Sequence, residues 1–457
     1  MKKTLFVLLS VALVAGGAMA QAKSKAQFDA KTGQYKIEKG AKLTLGIDND
    51  TYGKALVALW DKTHPDAAGA VEYLNTPSSG EAKKVADLQG DAPDVVGVIT
   101  DEAIPYAGAF ATIDPTLVKV AADNLDPKFY KSANAMYAGK TVVLPFAFDG
   151  MSFAWNKTML TKLGLISGKV TKNNLPIEFD TWEKIFALGK AWDAKRPTYM
   201  DKPLNIVFPL SLDEPWSGFS TATTSAGWGI FQKGDALNPG FDDPKFLKGL
   251  NFLVEAAKAK LSVEANGTLT PGASMGWRWD PVLNDQTAPF GMVGTWMDVK
   301  GALAKGGHDM QFAPMPTYNG VRLTPFLKVK SYVQNAYSKY PSAAAELLRL
   351  VFTKEGMQAM IENSAYVPAL KAGAKIAPDY SNDAVKKQMA YAFQFSYVEP
   401  VTLALPANPG KAAMQVYYNI GMNQFYKDVW DGKSTPEAAQ KAIVEASTKW
   451  ISENNKK

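Results

Sequence analysis

The sequence predicts an α/β protein built on a largely parallel sheet, and two observations near its start support this fold class. A strand, a loop and a helix follow one another between Lys42 and Trp60, and a second strand and helix lead into another strand between Val71 and Ile99. Such alternation is typical of a parallel sheet covered by helices. The 457 residues suffice for roughly two to three domains of this kind.

The N-terminus has the pattern of a secretory signal peptide. Lys2 and Lys3 precede an apolar run over residues 5–14, and the small-residue sequence Ala18-Met19-Ala20 follows. We expect cleavage after Ala20, so that residues 1–20 are removed. The apolar run is too short to span a bilayer, and the chain has no cysteine that could carry a lipid anchor. The sequence therefore predicts a freely diffusing periplasmic protein.

Composition excludes several functions. Without the signal peptide the chain has 48 basic and 44 acidic residues, so its net charge of +4 is too small and too dispersed for a nucleic-acid-binding protein. Two histidines and no cysteine argue against a metal site. No phosphate-binding glycine loop and no nucleophile-elbow motif is present. We expect a monomer that uses no cofactor and no metal.

The first elements follow from local patterns. Residues 21–40 are polar and without a clear period, which predicts a flexible or capping extension. Residues 42–47 alternate as a strand, and the loop 48–53 separates them from a helix. One face of that helix is apolar and consists of Ala55, Leu56, Leu59 and Trp60.

A second unit follows in the same order. It comprises a strand at 71–74, a helix at 81–88 and a fully apolar strand at 95–99. Ligand-binding loops of α/β sheets lie at the carboxyl ends of the strands. This rule nominates Asp48, Asp50 and Asp101 as candidate ligand-binding residues.

After Asp149 the pattern changes to longer helices and aromatic loops. A capping box at 180–183 predicts a helix whose apolar stripe contains Trp182, Ile185, Phe186 and Trp192. A helix after Pro341-Ser342 is expected to bury Leu347, Leu348, Val351 and Phe352. The last helix has Thr435 as its cap and Pro436 in its first turn, with Ala439, Ile443 and Ala446 facing inward.

Five segments in order along the chain resemble the extracellular solute-binding proteins of ABC sugar importers, and in particular the maltose/maltodextrin-binding proteins. The segments are Gly90-Asp91-Ala92-Pro93-Asp94-Val95-Val96, Leu144-Pro145-Phe146-Ala147-Phe148-Asp149 with Trp155-Asn156-Lys157, Phe179-Asp180-Thr181-Trp182-Glu183, Leu212-Asp213-Glu214-Pro215-Trp216 and Met292-Val293-Gly294-Thr295-Trp296. The fourth is similar to the Glu-Pro-aromatic ligand loop of maltodextrin binders, and the fifth to their Gly-x-Trp ligand segment.

The resemblance implies a two-lobed α/β fold of the periplasmic-binding-protein type, with a ligand cleft between the lobes and hinge crossings. One lobe would contain residues 41–147 and 331–367, and the other would contain residues 148–330 and 368–457. The chain would cross between them near 145–149, 324–329 and 366–369.

A neutral sugar offers hydroxyls, which carboxylates bind well, and C–H faces, which indole rings cover. The resemblance implies ligand-binding roles for Asp50, Asp101, Asp149, Glu214, Trp216 and Trp296. Phe148, Trp228, Trp279 and Asp280 are added on chemistry alone. Competing structural roles remain open, namely helix caps for Asp50 and Asp101, a turn for Asp149 and the core for Trp296.

Several positions depart from the maltodextrin-binding pattern. Val98 stands where those proteins have a Trp, Glu102 where they have an Arg, and Thr51 where they have a Lys. Their late stacking Trp has no counterpart near residues 408–410. These departures weaken maltose as the ligand and leave another sugar open.

We therefore predict a periplasmic receptor that closes around a carbohydrate, binds the permease of an ABC importer and depends only indirectly on its ATPase, without being an enzyme itself. Two alternatives stay open. One is a secreted glycoside hydrolase, which would use the same acids and tryptophans. The other is a solute-binding protein for a non-sugar ligand.

Overall fold

The computed structural model describes residues 26–126, 140–209, 222–223, 226–230, 237–261, 282–283, 285–323, 328–396 and 416–454. The strands are β1 (Phe28–Asp29), β2 (Gln34–Tyr35), β3 (Leu43–Ile47), β4 (Val71–Asn75), β5 (Val95–Ile99), β6 (Val143–Asp149), β7 (Met151–Asn156), β8 (Thr198–Tyr199), β9 (Lys202–Pro203), β10 (Phe290–Gly294), β11 (Met310–Ala313), β12 (Thr317–Tyr318), β13 (Val321–Arg322), β14 (Lys328–Gln334) and β15 (Val367–Pro368). The α-helices are α1 (Asp50–Thr63), α2 (Glu81–Leu88), α3 (Thr100–Ala103), α4 (Pro115–Asn124), α5 (Lys157–Lys162), α6 (Trp182–Ala194), α7 (Pro244–Lys258), α8 (Val299–Gly306), α9 (Pro341–Val351), α10 (Lys354–Asn363), α11 (Ala384–Ser396), α12 (Val416–Asn419), α13 (Met422–Trp430) and α14 (Pro436–Asn454).

The largest sheet has six strands in the order β15-β6-β14-β5-β3-β4. Strand β3 pairs in parallel with β4 and β5, which confirms the parallel arrangement predicted for the two first units. Strand β14 lies antiparallel between β5 and β6, and β15 is antiparallel to β6. The prediction of a largely parallel sheet is therefore wrong for the part of the sheet that contains β14, β6 and β15. Strand β14 comes from a distant part of the chain. The local alternation of strands and helices cannot predict a pairing between segments so far apart in the sequence.

Helix α1 begins earlier than its sequence pattern predicts. The Asn49 side chain accepts a hydrogen bond of 2.9 Å from the backbone N–H of Tyr52 and so caps the helix at residue 50. The expected loop 48–53 is thereby reduced to its first two residues. Leu56 and Trp60 are fully buried as predicted, and Tyr52 extends the buried stripe by one turn.

A second, antiparallel sheet has the order β10-β7-β11. Every residue of β7 and β10 is buried, so this sheet is covered on both faces. Strand β6 of the six-stranded sheet leads directly into β7 through Gly150. The chain therefore passes from one sheet to the other at this glycine.

The buried apolar residues form separate clusters. One cluster packs α1, α9 and α10 on the six-stranded sheet and includes Leu45 and Leu347. Another contains β7, α6, α7 and the C-terminal helices. A third combines residues from both sheets, such as Phe148 and Val329 from the six-stranded sheet and Phe312 from the three-stranded sheet. The third cluster is the apolar floor beneath the candidate site described below.

The N-terminal extension is structured from residue 26 onward, in keeping with a capping role. Strands β1 and β2 form a hairpin, and Glu38 accepts hydrogen bonds from the backbone N–H groups of Ser342 and Ala343 at 2.8 and 2.9 Å. These N–H groups belong to the first turn of α9, so Glu38 caps that helix from outside it. The extension therefore packs as a strap against helix α9.

Three longer helices bury most of the apolar residues that their sequence patterns predict to face inward. Helix α6 begins after Thr181, whose hydroxyl accepts from Lys184 N, and it buries all four expected aromatic and aliphatic residues. Helix α9 buries Leu347, Leu348 and Val351. In α14 the buried positions include Ala439 and Ile443, whereas Ser447 takes the buried place expected for Ala446.

The described parts of the expected crossing segments lie side by side. Phe148 of β6 is paired with Val329 of β14 on one side and with Val367 of β15 on the other. The strand β14 is continuous through the expected boundary at 330–331, where its register shifts by a bulge. None of the helices in the described ranges is long and apolar enough to cross a membrane.

Candidate functional site

A cavity of about 370 Å³ lies above the third apolar cluster and is the candidate site. Its walls come from the start of α1, the start of α8 with the residues before it, the end of α10 with the start of β15, and the start of α11. The lining residues are Asn49, Thr51, Trp296, Met297, Asp298, Val299, Lys300, Glu362, Asn363, Ser364, Ala365, Tyr366, Val367, Tyr380, Asp383, Val385, Lys386 and Met389.

Trp296 is placed in the cavity by the strand that precedes it. Strand β10 ends at Gly294, and the Met297 N–H donates back to the Gly294 carbonyl at 3.2 Å in a tight turn. The indole then lies over Gly294, where a Cβ atom would be 2.6 Å from Trp296 Cζ2. Only glycine leaves room for the ring in this position, which gives the Gly-x-Trp pattern a physical reason.

Two helices start at the cavity, and each is capped by an aspartate. Asp298 accepts from Gly301 N at 2.9 Å at the start of α8, and Asp383 accepts from Lys386 N at 2.9 Å at the start of α11. A Cβ at Gly301 would lie 2.1 Å from Asp298 Oδ2, so this carboxylate would have to shift if a side chain were added there. Both carboxylates are thus oriented by their own helices at the cavity edge.

An ion pair supports the part of the wall that contains Tyr366. Asp48 follows β3 directly, and its carboxylate accepts from Lys330 Nζ at 2.6 Å and from the Tyr366 hydroxyl. The Lys330 side chain is only 4% exposed and also reaches Ser78 Oγ at 3.3 Å. Its ammonium lies 5.2 Å from the centre of the Tyr366 ring.

The pKa of Asp48 reflects this environment. Burial alone would raise it, but the charge and hydrogen bond of Lys330, with the Tyr366 hydroxyl, lower the pKa of this carboxyl below its usual range. Asp48 is therefore ionised and holds Tyr366, which lines the cavity, in a defined position. The sequence selected Asp48 as a candidate ligand-binding residue because it follows a strand. In the structure it instead supports Tyr366, together with Lys330.

Of the predicted site residues, Trp296 lines the cavity and Asp50 is adjacent in sequence to two lining residues. Trp296 lines the cavity and is half-buried. Asp50 stands in the sequence between the lining residues Asn49 and Thr51, but it does not itself line the cavity. Its carboxylate accepts from Tyr73 Oη and Asn75 Nδ2, both at 2.8 Å, which together with Lys54 lower its pKa.

Two aromatic candidates lie in the core. Trp228 is 1% exposed, stacks with Phe241 and donates from Nε1 to the Gly240 carbonyl at 2.7 Å. Phe148 is also 1% exposed and belongs to the cluster beneath the cavity. Neither ring presents a face to the cavity, so the structure does not support their selection on chemistry alone. Both satisfy the ordinary demand of a core for large apolar side chains.

For the remaining candidates, the structure describes at most the backbone. Glu214, Trp216, Trp279 and Asp280 are outside the described residues. The backbone of Asp101 belongs to α3, and that of Asp149 ends β6 opposite Lys328. Their ligand-binding roles stay predictions.

Several lining residues were missed by sequence reasoning. Tyr366, Tyr380, Asp383 and Lys386 come from segments that show no ligand motif. Asp298, two residues after the Gly-x-Trp segment, and Asn49 and Thr51, which flank Asp50, could have been added from their neighbourhood. The others become site residues because β15 brings the chain back beside β6.

The arrangement can bind a polar molecule that has apolar faces. Trp296 and Tyr380 are half-buried and provide aromatic surface, and the largely buried ring of Tyr366 lines the wall between them and Asp48. Amides and carboxylates such as those of Asn49 and Asp298 provide hydrogen-bonding groups. Within the part of the chain that the structure describes, no His, Asp and Glu side chains are grouped to hold a metal ion.

Comparison with known proteins adds one match. The family model of the bacterial extracellular solute-binding proteins matches residues 55–388. This span covers most of the chain and includes β4 to β15 and most of the cavity wall. No curated protein matches the chain.

Proposed function

Since the chain belongs to the bacterial extracellular solute-binding protein family, we propose that its solute is a carbohydrate and that the cavity around Trp296 binds it. The family consists of solute-binding proteins of transporters, which are typically not enzymes. The observation that carries the proposal is the combination of three aromatic side chains with amides and carboxylates around one cavity of about 370 Å³. Aromatic rings cover sugar C–H faces, while carboxylates and amides bind the hydroxyls.

The proposed mechanism is closure of two lobes around the sugar, followed by binding to the permease of an ABC importer. The lobes would divide near the three adjacent strand ends at Phe148, Val329 and Val367, which are hydrogen-bonded neighbours. Tyr366 and Val367 at this junction also line the cavity. A ligand in contact with them could therefore shift the hinge equilibrium through its differential contacts with the open and closed states.

The maltodextrin resemblance extends the proposal to an oligosaccharide and to the loop that contains Glu214 and Trp216. Trp216 would stack on a sugar ring while Glu214 accepts from the hydroxyls of the same sugar. The departures at Thr51, Val98 and Glu102 favour a sugar other than maltose.

A screen of mono- and oligosaccharides by thermal shift and calorimetry tests the proposal. Trp296→Ala should weaken the best sugar by about 2 to 4 kcal/mol, or roughly thirty- to a thousandfold, because an aromatic anchor of an enclosed site is removed. Trp450→Ala removes another half-buried indole, which lies on α14 away from the cavity, and should leave affinity unchanged. Equal affinity of the Trp296→Ala protein, or binding of no sugar at all, contradicts the proposal.

A further inference from the structure

A buried histidine lies in the contact between α1 and α9, away from the candidate site. His64 follows the last residue of α1, and 7% of its surface is exposed. Its Nε2 atom lies 2.9 Å from Glu346 Oε1 of α9. Its Nδ1 atom lies 3.3 Å from the Trp60 carbonyl oxygen and 2.9 Å from the Thr63 hydroxyl. Both ring nitrogens have partners, and the chemistry of these partners decides which nitrogens carry a proton.

The partner of Nε2 is an ionised carboxylate. Burial alone would raise the pKa of the Glu346 carboxyl, but hydrogen bonds from His64, Arg349 and Tyr35 lower it below its usual range. The Arg349 guanidinium alone contacts this carboxylate at 2.6 to 3.0 Å. Since an ionised carboxylate has no proton to donate, the Nε2 atom of His64 must be the donor.

The surroundings of Nδ1 favour a second proton on the same ring. The Trp60 carbonyl can only accept a hydrogen bond. The single proton of the Thr63 hydroxyl is directed to the Leu59 carbonyl, which lies 2.8 Å from it. The lone pairs of the hydroxyl therefore face Nδ1. An unprotonated Nδ1 would place its own lone pair against two oxygen atoms, whereas a protonated one donates to them.

The position of the ring favours the charged form as well. His64 caps the C-terminal end of α1, where the last carbonyl groups concentrate partial negative charge. Its ring stacks on the Trp60 indole, with the ring centres 4.4 Å apart and the planes 25° from parallel. A cation in this position is attracted by the π electrons of the indole. The helix end and the stacking thus oppose the desolvation that burial imposes on the charge.

The ring also borders a second cavity, of about 580 Å³, between the strap and the end of α1. Histidine is the only side chain that ordinarily changes charge between pH 5 and pH 8. Among the described residues, the other charged side chains that border this cavity or contact Glu346 are Glu38 and Lys39 of the strap, Lys42 before β3, Asp66 after α1, and Arg349 of α9.

We propose that His64 is an imidazolium at neutral pH and that its ion pair with Glu346 is a pH-sensitive contact that holds the strap and α1 to α9. The Tyr35 N–H of the strap donates to the other oxygen of the same carboxylate at 2.8 Å. One carboxylate therefore joins all three segments. Loss of a proton from His64 at alkaline pH replaces the ion pair by a neutral hydrogen bond, which is weaker, and the strap loosens.

Nitrogen NMR of the two histidine rings tests the protonation state, with His308 as the internal control. Asn156 Oδ1 accepts from Met159 N, so its Nδ2 donates to His308 Nδ1 at 2.8 Å. Burial and the charge of Lys162 lower the pKa of His308. At pH 7 His64 should show two protonated nitrogens, and His308 should show an unprotonated Nδ1. A neutral His64 ring at pH 7 overturns the inference.

Hydrogen exchange of the Tyr35 amide measures the attachment of the strap. Its protection, corrected for the intrinsic pH dependence of exchange, should fall roughly fivefold as His64 loses its proton, since a charge-assisted hydrogen bond becomes a neutral one. His64→Gln can still donate to Glu346 but does not titrate, so it should remove this pH dependence. His308→Gln should retain it. Unchanged protection across the titration of His64, or an unchanged pH dependence in His64→Gln, contradicts the proposed role of the ion pair.

Discussion

At the scale of single residues, the position of Trp296 depends on the glycine two positions before it. The indole occupies the space that a side chain at residue 294 would fill. The same strand is buried on both faces, so its backbone cannot move away easily. The site therefore needs both residues, one as the aromatic surface and one as the room for it.

Gly294→Ala should displace the Trp296 ring, because its new Cβ would lie 2.6 Å from Cζ2. We expect at least a tenfold loss of affinity for the best sugar, with a loss of stability of about 1 to 3 kcal/mol. Calorimetry and denaturant unfolding measure the two effects. Gly90→Ala is the control, since its Cβ would meet nothing within 4 Å. Full affinity in Gly294→Ala would show that the ring position does not matter for binding.

At the scale of elements, one buried carboxylate connects the N-terminal strap, α1 and α9. Glu346 is fully buried and accepts from His64 Nε2 at 2.9 Å, from the Arg349 guanidinium at 2.6 to 3.0 Å and from Tyr35 N at 2.8 Å. Burial alone would raise the pKa of this carboxyl, but the hydrogen bonds from His64, Arg349 and Tyr35 lower it below its usual range.

The lowered pKa of Glu346 predicts a dependence of stability on acid. A depressed carboxyl pKa stabilises the fold above its unfolded value of about 4.3, and this contribution is lost as pH falls through the folded value. Glu346→Gln should lower the free energy of unfolding by about 1 to 3 kcal/mol at neutral pH. It should also flatten the loss of stability as pH falls below the unfolded value of about 4.3.

Urea unfolding at a series of pH values measures this effect. Glu355→Gln, a change at an exposed acid on α10, should leave the acid-induced loss of stability as it is in the unaltered protein. An equally steep loss in Glu346→Gln would mean that another group causes the acid sensitivity.

At the scale of the whole molecule, the chain returns to one junction from distant parts of its sequence. Strands β6, β14 and β15 lie next to one another, and a shared apolar cluster lies between the two larger sheets. Short adjacent segments of this kind suit a hinge, because few backbone angles need to change. If the proposed lobes close at this junction, a ligand in the cavity beside it would influence the closure.

If the proposed hinge closes on the ligand, saturating sugar should decrease the radius of gyration in small-angle X-ray scattering. At a hundred times the Kd it should also raise the free energy of unfolding by about 2.7 kcal/mol. Trp296→Ala at the same sugar concentration should show less compaction and a stabilisation of less than about 1 kcal/mol. Sugar-induced stabilisation without compaction would separate binding from closure and reject the hinge.

Whether a residue of the candidate site could be predicted depends on how far apart in the sequence the contacts that place it are. A local motif selected Trp296, which lines the cavity, and a local strand-end pattern selected Asp50, which lies within one residue of the lining. Tyr366, Asp383 and Lys386 were not selected, since only the pairing of β15 with β6 brings their segments to the site. Trp228 was selected for its residue type, which a core needs as much as a ligand site does.

The sequence by itself determined the order of the first strands and helices, the caps of α6 and α14, the solute-binding protein family and the Gly-x-Trp segment that contains Trp296. Each depends on interactions within a few residues, which periodicity and motifs record. Only the tertiary structure decided that β14 enters the sheet antiparallel, that Trp228 is core, and that Lys386 faces the same cavity as Trp296. Those outcomes depend on contacts between distant segments, which local patterns of hydrophobicity do not specify.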